Sequence, residues 1–203
     1  MMGKGNRLEM VIAVCAVITS VVALIIGWDQ ARIMRLQQKA EIWPIVQVTH
    51  LNDASEGVVT YSLELENAGV GPALIESHVI LIPDAPATED FDEMLAYLAP
   101  EMSDDVAKGS LAIDSRVIRQ GTSVRPIHAA WDATDENMAA MERMVDDFVS
   151  GAREAPGVFV CYCSILDECW VSSTLSEQVR PAKVKTCTTL QRDARNLIAM
   201  YGN

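Results

Sequence analysis

With 203 residues, half of them hydrophobic, the chain is long enough to bury one domain core of its own. Its formal net charge of −12 speaks against nucleic acid and anionic lipid headgroups as partners, because like charges repel. Its five cysteines leave disulfide, metal and reduced-thiol readings to be weighed by spacing.

After a tail at residues 1–9 that carries Lys4 and Arg7, the run Met10 to Trp28 holds nineteen residues without a charge. As a helix it is about 28 Å long, close to the thickness of a bilayer's hydrocarbon core. Its only hydroxyls, Thr19 and Ser20, can bond back to their own helix. A cleaved signal peptide has an apolar region of about 7–15 residues, shorter than this run, which continues past Ala23 to Trp28. The expected element is therefore a retained transmembrane helix at 10–28, with Trp28 as an interfacial aromatic. Lys4 and Arg7 before it nearly balance Arg32, Arg35 and Lys39 after it, so flanking charge does not orient it.

Residues 29–42 contain neither Gly nor Pro, and Ile33, Leu36 and Ala40 recur at helical spacing. They predict a short helical stalk, stopped by Trp43-Pro44. From there the periodicity changes to two. Val59, Tyr61, Leu63 and Leu65 alternate with polar residues, as on a half-buried strand. Ile45–Val48 is its expected partner across a loop at 52–57. Asn67-Ala68-Gly69-Val70-Gly71-Pro72 reads as a structural turn with glycines free to take positive φ, not as a phosphate loop, since no helix follows it. Further strands are expected at 73–82, 111–118, 123–130, 158–165, 169–173 and 182–185.

Three helices interrupt or follow the strands. Near 88–100, Phe91, Met94, Leu95 and Leu98 share one face behind Thr88 as the expected N-cap. Near 134–151, Met138, Met141, Val145, Phe148 and Val149 share a face behind Thr134. Near 188–201, Leu190, Ala194, Leu197, Ile198 and Tyr201 form a third apolar stripe. The expected architecture for 43–203 is mainly β (α+β), an immunoglobulin-like β-sandwich with helical insertions.

Residues 83–108 carry eight acids against Lys108, and residues 129–155 carry seven against Arg143 and Arg153. The negative charge is thus concentrated on the two insertions. It reads as solvated helix faces, as a surface for a basic protein partner, or as a weak calcium site, against which the absent ligand spacing of an EF-hand counts.

Cys15 lies in the apolar run. Cys161 and Cys163 point to one face of a strand, and a three-residue loop Ile165-Leu166-Asp167 would set Cys163 opposite Cys169. That permits one disulfide there and leaves Cys161 to reach Cys187, but four cysteines allow three pairings. A four-thiolate metal site and four reduced core thiols are the alternatives. Disulfides would favour an extracytoplasmic over a cytoplasmic domain.

His50, His78 and His128 lack metal-ligand spacing, and Asp104-Asp105 are merely adjacent in sequence. There is no nucleophile elbow, P-loop or dinucleotide fingerprint, so no cofactor and no catalytic residue is assigned.

Trp43-Pro44, the stretch Leu65 to Ala73, and Cys161-Tyr162-Cys163-Ser164 with Cys169-Trp170 carry a resemblance. In their order they resemble a group of uncharacterised bacterial single-pass membrane proteins, and Leu65–Ala73 is similar to bacterial immunoglobulin-like modules. The resemblance implies architecture and bacterial origin, but no activity; the expected location is the inner membrane. The expected function is a membrane-anchored, non-catalytic binding or assembly module. A membrane-tethered envelope enzyme and a cysteine-based redox or metal sensor are the rivals.

Overall fold

The computed structural model describes residues 4–175, 180–190 and Asn196. The chain divides into two compact units, Met1–Glu41 and Ile42–Asn203. The first is one uninterrupted helix, α1 (Lys4–Glu41), which joins the expected span and stalk. The apolar part of this helix has a mean hydropathy of 2.8 and none of it is buried. It is long and apolar enough to cross a membrane. Thr19 donates to the carbonyls of Cys15 and Ala16 at 3.0 Å, and Ser20 to Ala16 at 2.8 Å, so both hydroxyls are satisfied inside the helix.

The second unit runs β1 (Val46–Ser55), β2 (Val58–Asn67), β3 (Ala73–Leu81), α2 (Phe91–Leu98), β4 (Ala107–Ser110) and β5 (Val117–Ile118). It continues through β6 (Ser123–Asp132), α3 (Asp135–Ser150), β7 (Gly157–Cys163), β8 (Cys169–Ser173) and β9 (Ala182–Val184). The strands form two antiparallel sheets, in the orders β1-β2-β6-β4 and β5-β3-β7-β8-β9.

One apolar core serves both sheets. The alternating residues Val59, Tyr61, Leu63 and Leu65 of β2 meet Val158, Val160 and Tyr162 of β7 and Trp170 of β8 in it. Ser172 of β8 donates to the Val46 carbonyl of β1 at 2.5 Å and so stitches one sheet to the other. The opposite face of β7 and β8 is buried as well, under a second cluster of Val79, Leu81, Phe159, the four cysteines and Leu190. An irregularity between Ile75 and Ser77 shifts the register of β3 against β7. Ile75 therefore faces the main core while Val79, four residues on, faces the second cluster.

Several expectations are corrected. No loop spans 52–57, because β1 continues to Ser55 and turns through Glu56 (φ 52°) and Gly57 (φ 83°) alone. Two consecutive positive φ angles match the right-handed strand twist in a two-residue hairpin. The strand expected at 111–118 is reduced to β5, and Ile113 is instead a buried plug in a loop with Ser115 at φ 60°. Thr88 is not the cap of α2. It forms a bridge to Ile80, and Asp90 caps the helix by accepting from Asp92 N at 2.8 Å. Most of the helix expected near 188–201, including Ala194, Leu197, Ile198 and Tyr201, lies outside the described residues; Leu190 is buried.

Candidate functional site

The feature nearest to a binding surface is a groove of about 810 Å³ between α3 and the end of the β1–β2 hairpin. Thr134 caps α3 through Asn137 N at 3.2 Å, and Gly151 ends it in the left-handed region at φ 74°. Asn137 then fixes how the helix lies. Buried, it donates to the Asp132 carbonyl at 2.9 Å and to Ser103 Oγ at 3.2 Å, and it accepts from Ser103 N at 3.2 Å.

With Asn137 turned inward, the buried stripe of α3 is Asn137, Ala140, Met141 and Met144, with Phe148 packed at the core's edge. The stripe expected from sequence is therefore only partly buried. Met138 is 48% exposed, Val145 37% and Val149 81%. These three side chains line the groove, whose floor includes Ala54 and Val59, a directly paired couple beside the hairpin turn. Glu142 and Asp146 also line it. Arg143 lines it too, and pairs with Glu101, with Nη2 at 2.7 Å from the carboxylate.

A second hollow, of about 1070 Å³, lies between the Ile82–Pro86 turn and the C-terminal end of α3. Arg153 helps to line it, but its guanidinium serves the fold. It donates to the last carbonyls of α2, Tyr97 at 3.2 Å and Leu98 at 2.9 Å, and lies 4.4 Å from the centre of the Phe148 ring.

The histidines occupy separate settings. His50 Nδ1 meets the Tyr61 hydroxyl at 2.8 Å. Burial lowers the His50 pKa to about 4 from an ordinary 6.5, only partly offset by a backbone hydrogen bond at Pro156. Burial likewise pushes the Tyr61 phenol well above its ordinary value. His78 is buried, stacked on Phe91 at 4.9 Å, and held between Asp114 Oδ1 and the Glu89 carbonyl, each at 2.9 Å. It has the Asp–His pairing of a triad, but its second nitrogen faces a carbonyl instead of a nucleophile. His128 sits on β6 between Ser62 and Gly109, and neither hollow beside α3 is lined by it.

The cysteines form two disulfides, Cys161–Cys187 and Cys163–Cys169, with Cα separations of 5.6 and 4.0 Å. Cys163 and Cys169 are paired across β7 and β8 around the loop Ile165–Asp167, with Asp167 at φ 57°. The two disulfides touch, Cys163 Sγ lying 3.8 Å from Cys187 Sγ. Bonded in pairs, these sulfurs offer no thiolate for a metal or for nucleophilic attack. Cys15 is free.

The turn after β2 is structural, and its mechanism was missed in sequence. Asn67 is fully buried and donates to the carbonyls of Gly71 at 2.7 Å and Ile118 at 3.0 Å. Its own side-chain oxygen accepts from Ile45 N and Gly69 N at 3.3 and 3.1 Å. Neither Gly69 nor Gly71 takes a positive φ. Glycine is needed there because a Cβ at either site would collide with the backbone of Ile42–Ile45. The Asn-x-Gly-x-Gly spacing was the only available signal for this arrangement. No protein-family model and no curated protein matches this chain.

Proposed function

We propose that this chain is a single-pass anchor of a bacterial inner membrane, holding a non-catalytic binding or assembly module on the extracytoplasmic side. The module is an immunoglobulin-like β-sandwich with helical insertions, of the kind seen in the bacterial proteins that its Trp-Pro, Leu65–Ala73 and cysteine motifs resemble. The observation that carries this reading is the contrast between its polar interior and its groove. His78, Asn67 and Asn137 are held by the fold's own backbone and side chains. The groove beside α3, by contrast, is lined mainly by apolar side chains, with Glu142, Asp146 and the Glu101-paired Arg143 among them. A surface of that composition buries a partner's apolar side chains and presents no nucleophile–base pair. The two disulfides support the extracytoplasmic side, because an oxidising compartment preserves them.

The test is a C-terminal fusion to reporters active on only one side of the membrane, combined with alkaline extraction. The expected result is activity outside the cytoplasm and a chain that stays with the lipid pellet. A reporter active only in the cytoplasm would overturn the assigned side, and release into the alkaline supernatant would overturn the anchor.

A further inference from the structure

The groove beside α3 carries more than its exposure. Its apolar positions Met138, Val145 and Val149 recur along three helical turns, about 16 Å from first to last. That length suits the i, i+3 or i+4, i+7 anchors of a second helix. Ala54 and Val59 line it from the hairpin, and Met138, 48% exposed, brings an unbranched side chain that adapts to different apolar shapes.

Charge selects the partner's sign. Glu142 and Asp146 line the groove, and Asp147 follows in the last turn of α3. That last turn holds no basic residue, so Asp146 and Asp147 stand beside the negative end of the helix dipole. The one base on α3, Arg143, also lines the groove, but it is engaged by Glu101 at 2.7 Å, so the two groove carboxylates keep the negative balance. Arg153 also lies at this end, its guanidinium 4.4 Å from the Phe148 ring, but its donors are spent on the Tyr97 and Leu98 carbonyls. A cationic partner complements the Glu142 and Asp146 carboxylates; an acidic one is repelled by them.

We infer that this groove docks a basic amphipathic helix of a partner protein, its apolar stripe on Met138, Val145 and Val149 and its Lys or Arg residues against Glu142 and Asp146. This rests on the binding-module reading and names the chemistry of the partner at that surface.

The test uses the full chain in nanodiscs of neutral phosphatidylcholine, with the signal of empty discs subtracted. The probe is a fluorescent peptide of about 18 residues, Leu and Lys placed at amphipathic helical spacing. Two controls replace Lys with Glu, or scramble the order so that no apolar face forms. The expected result is saturable binding of the Lys peptide only. Met138→Gln with Val149→Asp, and separately Glu142→Lys with Asp146→Lys, should each weaken it by about tenfold or more. Asp104→Lys with Asp105→Lys makes the same charge change outside the groove lining and should alter it by no more than about twofold. Equal loss from that outside pair, equal binding of the Glu peptide, or no binding overturns the proposal. A photo-crosslinking residue at position 149 in intact cells separates the two levels. A discrete crosslinked protein, abolished by Met138→Asp, together with failure of the Lys peptide, would sink the partner chemistry while the binding-module reading stands. Failure of both would sink both.

Discussion

Gly71 lies so close to Ile42 that a Cβ added to the glycine would overlap the Ile42 backbone, carbonyl included. Gly69 is equally close to the backbone of Trp43–Ile45, and the N–H groups of Ala68 and Val70 bond the carbonyls of Ile45 and Trp43 at 2.8 and 3.0 Å. The β-rich unit thus grips its own first residues through a turn that only glycine allows. Replacing Gly71 by Ala should cost about 3 kcal/mol or more, since backbone must move on both sides. Asn67→Ala should cost a comparable amount by stranding buried donors and acceptors. Urea unfolding of the full chain in detergent, followed by near-UV circular dichroism, measures both. A Gly71→Ala protein as stable as the parent would refute the close approach.

His50 makes stability depend on pH. Its folded pKa is lowered to about 4 from 6.5, so between these values the unfolded chain binds a proton that the folded one does not. Its contribution is complete above pH 6.5, falls as pH drops from 6.5 to 4, and changes no further below that. The full span is worth up to about 3 kcal/mol. His50→Gln should flatten the difference in stability measured between pH 7 and pH 5. An unchanged slope would show that His50 titrates normally in the fold.

Arg153 joins the two helical insertions by capping α2 from the segment after α3. Arg153→Met keeps the apolar stem but removes the bonds to Tyr97 and Leu98, and should cost about 1–3 kcal/mol. Arg153→Lys should recover only part, because an ammonium cannot reproduce the flat fork stacked on Phe148. Thermal melts of the three proteins supply the comparison, and equal melting of Lys and Arg forms would remove the stacking claim.

The disulfides close loops of different length, with sequence separations of 26 for Cys161–Cys187 and 6 for Cys163–Cys169. On chain entropy alone the longer loop stabilises by about 1 kcal/mol more than the shorter. Replacing Cys161 and Cys187 with Ala should therefore lower the unfolding midpoint further than replacing Cys163 and Cys169. Denatured, unreduced protein should yield one reactive thiol, Cys15, by mass spectrometry after alkylation. Five reactive thiols would mean that neither bridge forms.

The buried face of α2 was legible in the sequence, because Phe91, Met94, Leu95 and Leu98 leave a short helix only one apolar side to bury. On α3 the apolar residues cover more than one side. Which side goes inward was settled by Asn137, whose partners Ser103 and Asp132 come from other segments. The same limit hid Asn67: its bonds to Gly71 are local, but Ile118 is 51 residues away. The shared sulfur cluster likewise needed β9 to bring Cys187 beside Cys163.

By itself the sequence determined that an uncharged run of helical length stands at 10–28 and that alternating strands follow it. Both are local properties, set by transfer of consecutive side chains from water and by the two-residue repeat of a strand. Tertiary structure alone decided which apolar side chains of α3 remain outside. That choice depends on where distant backbone groups can satisfy one buried amide, and no short window of sequence contains those groups.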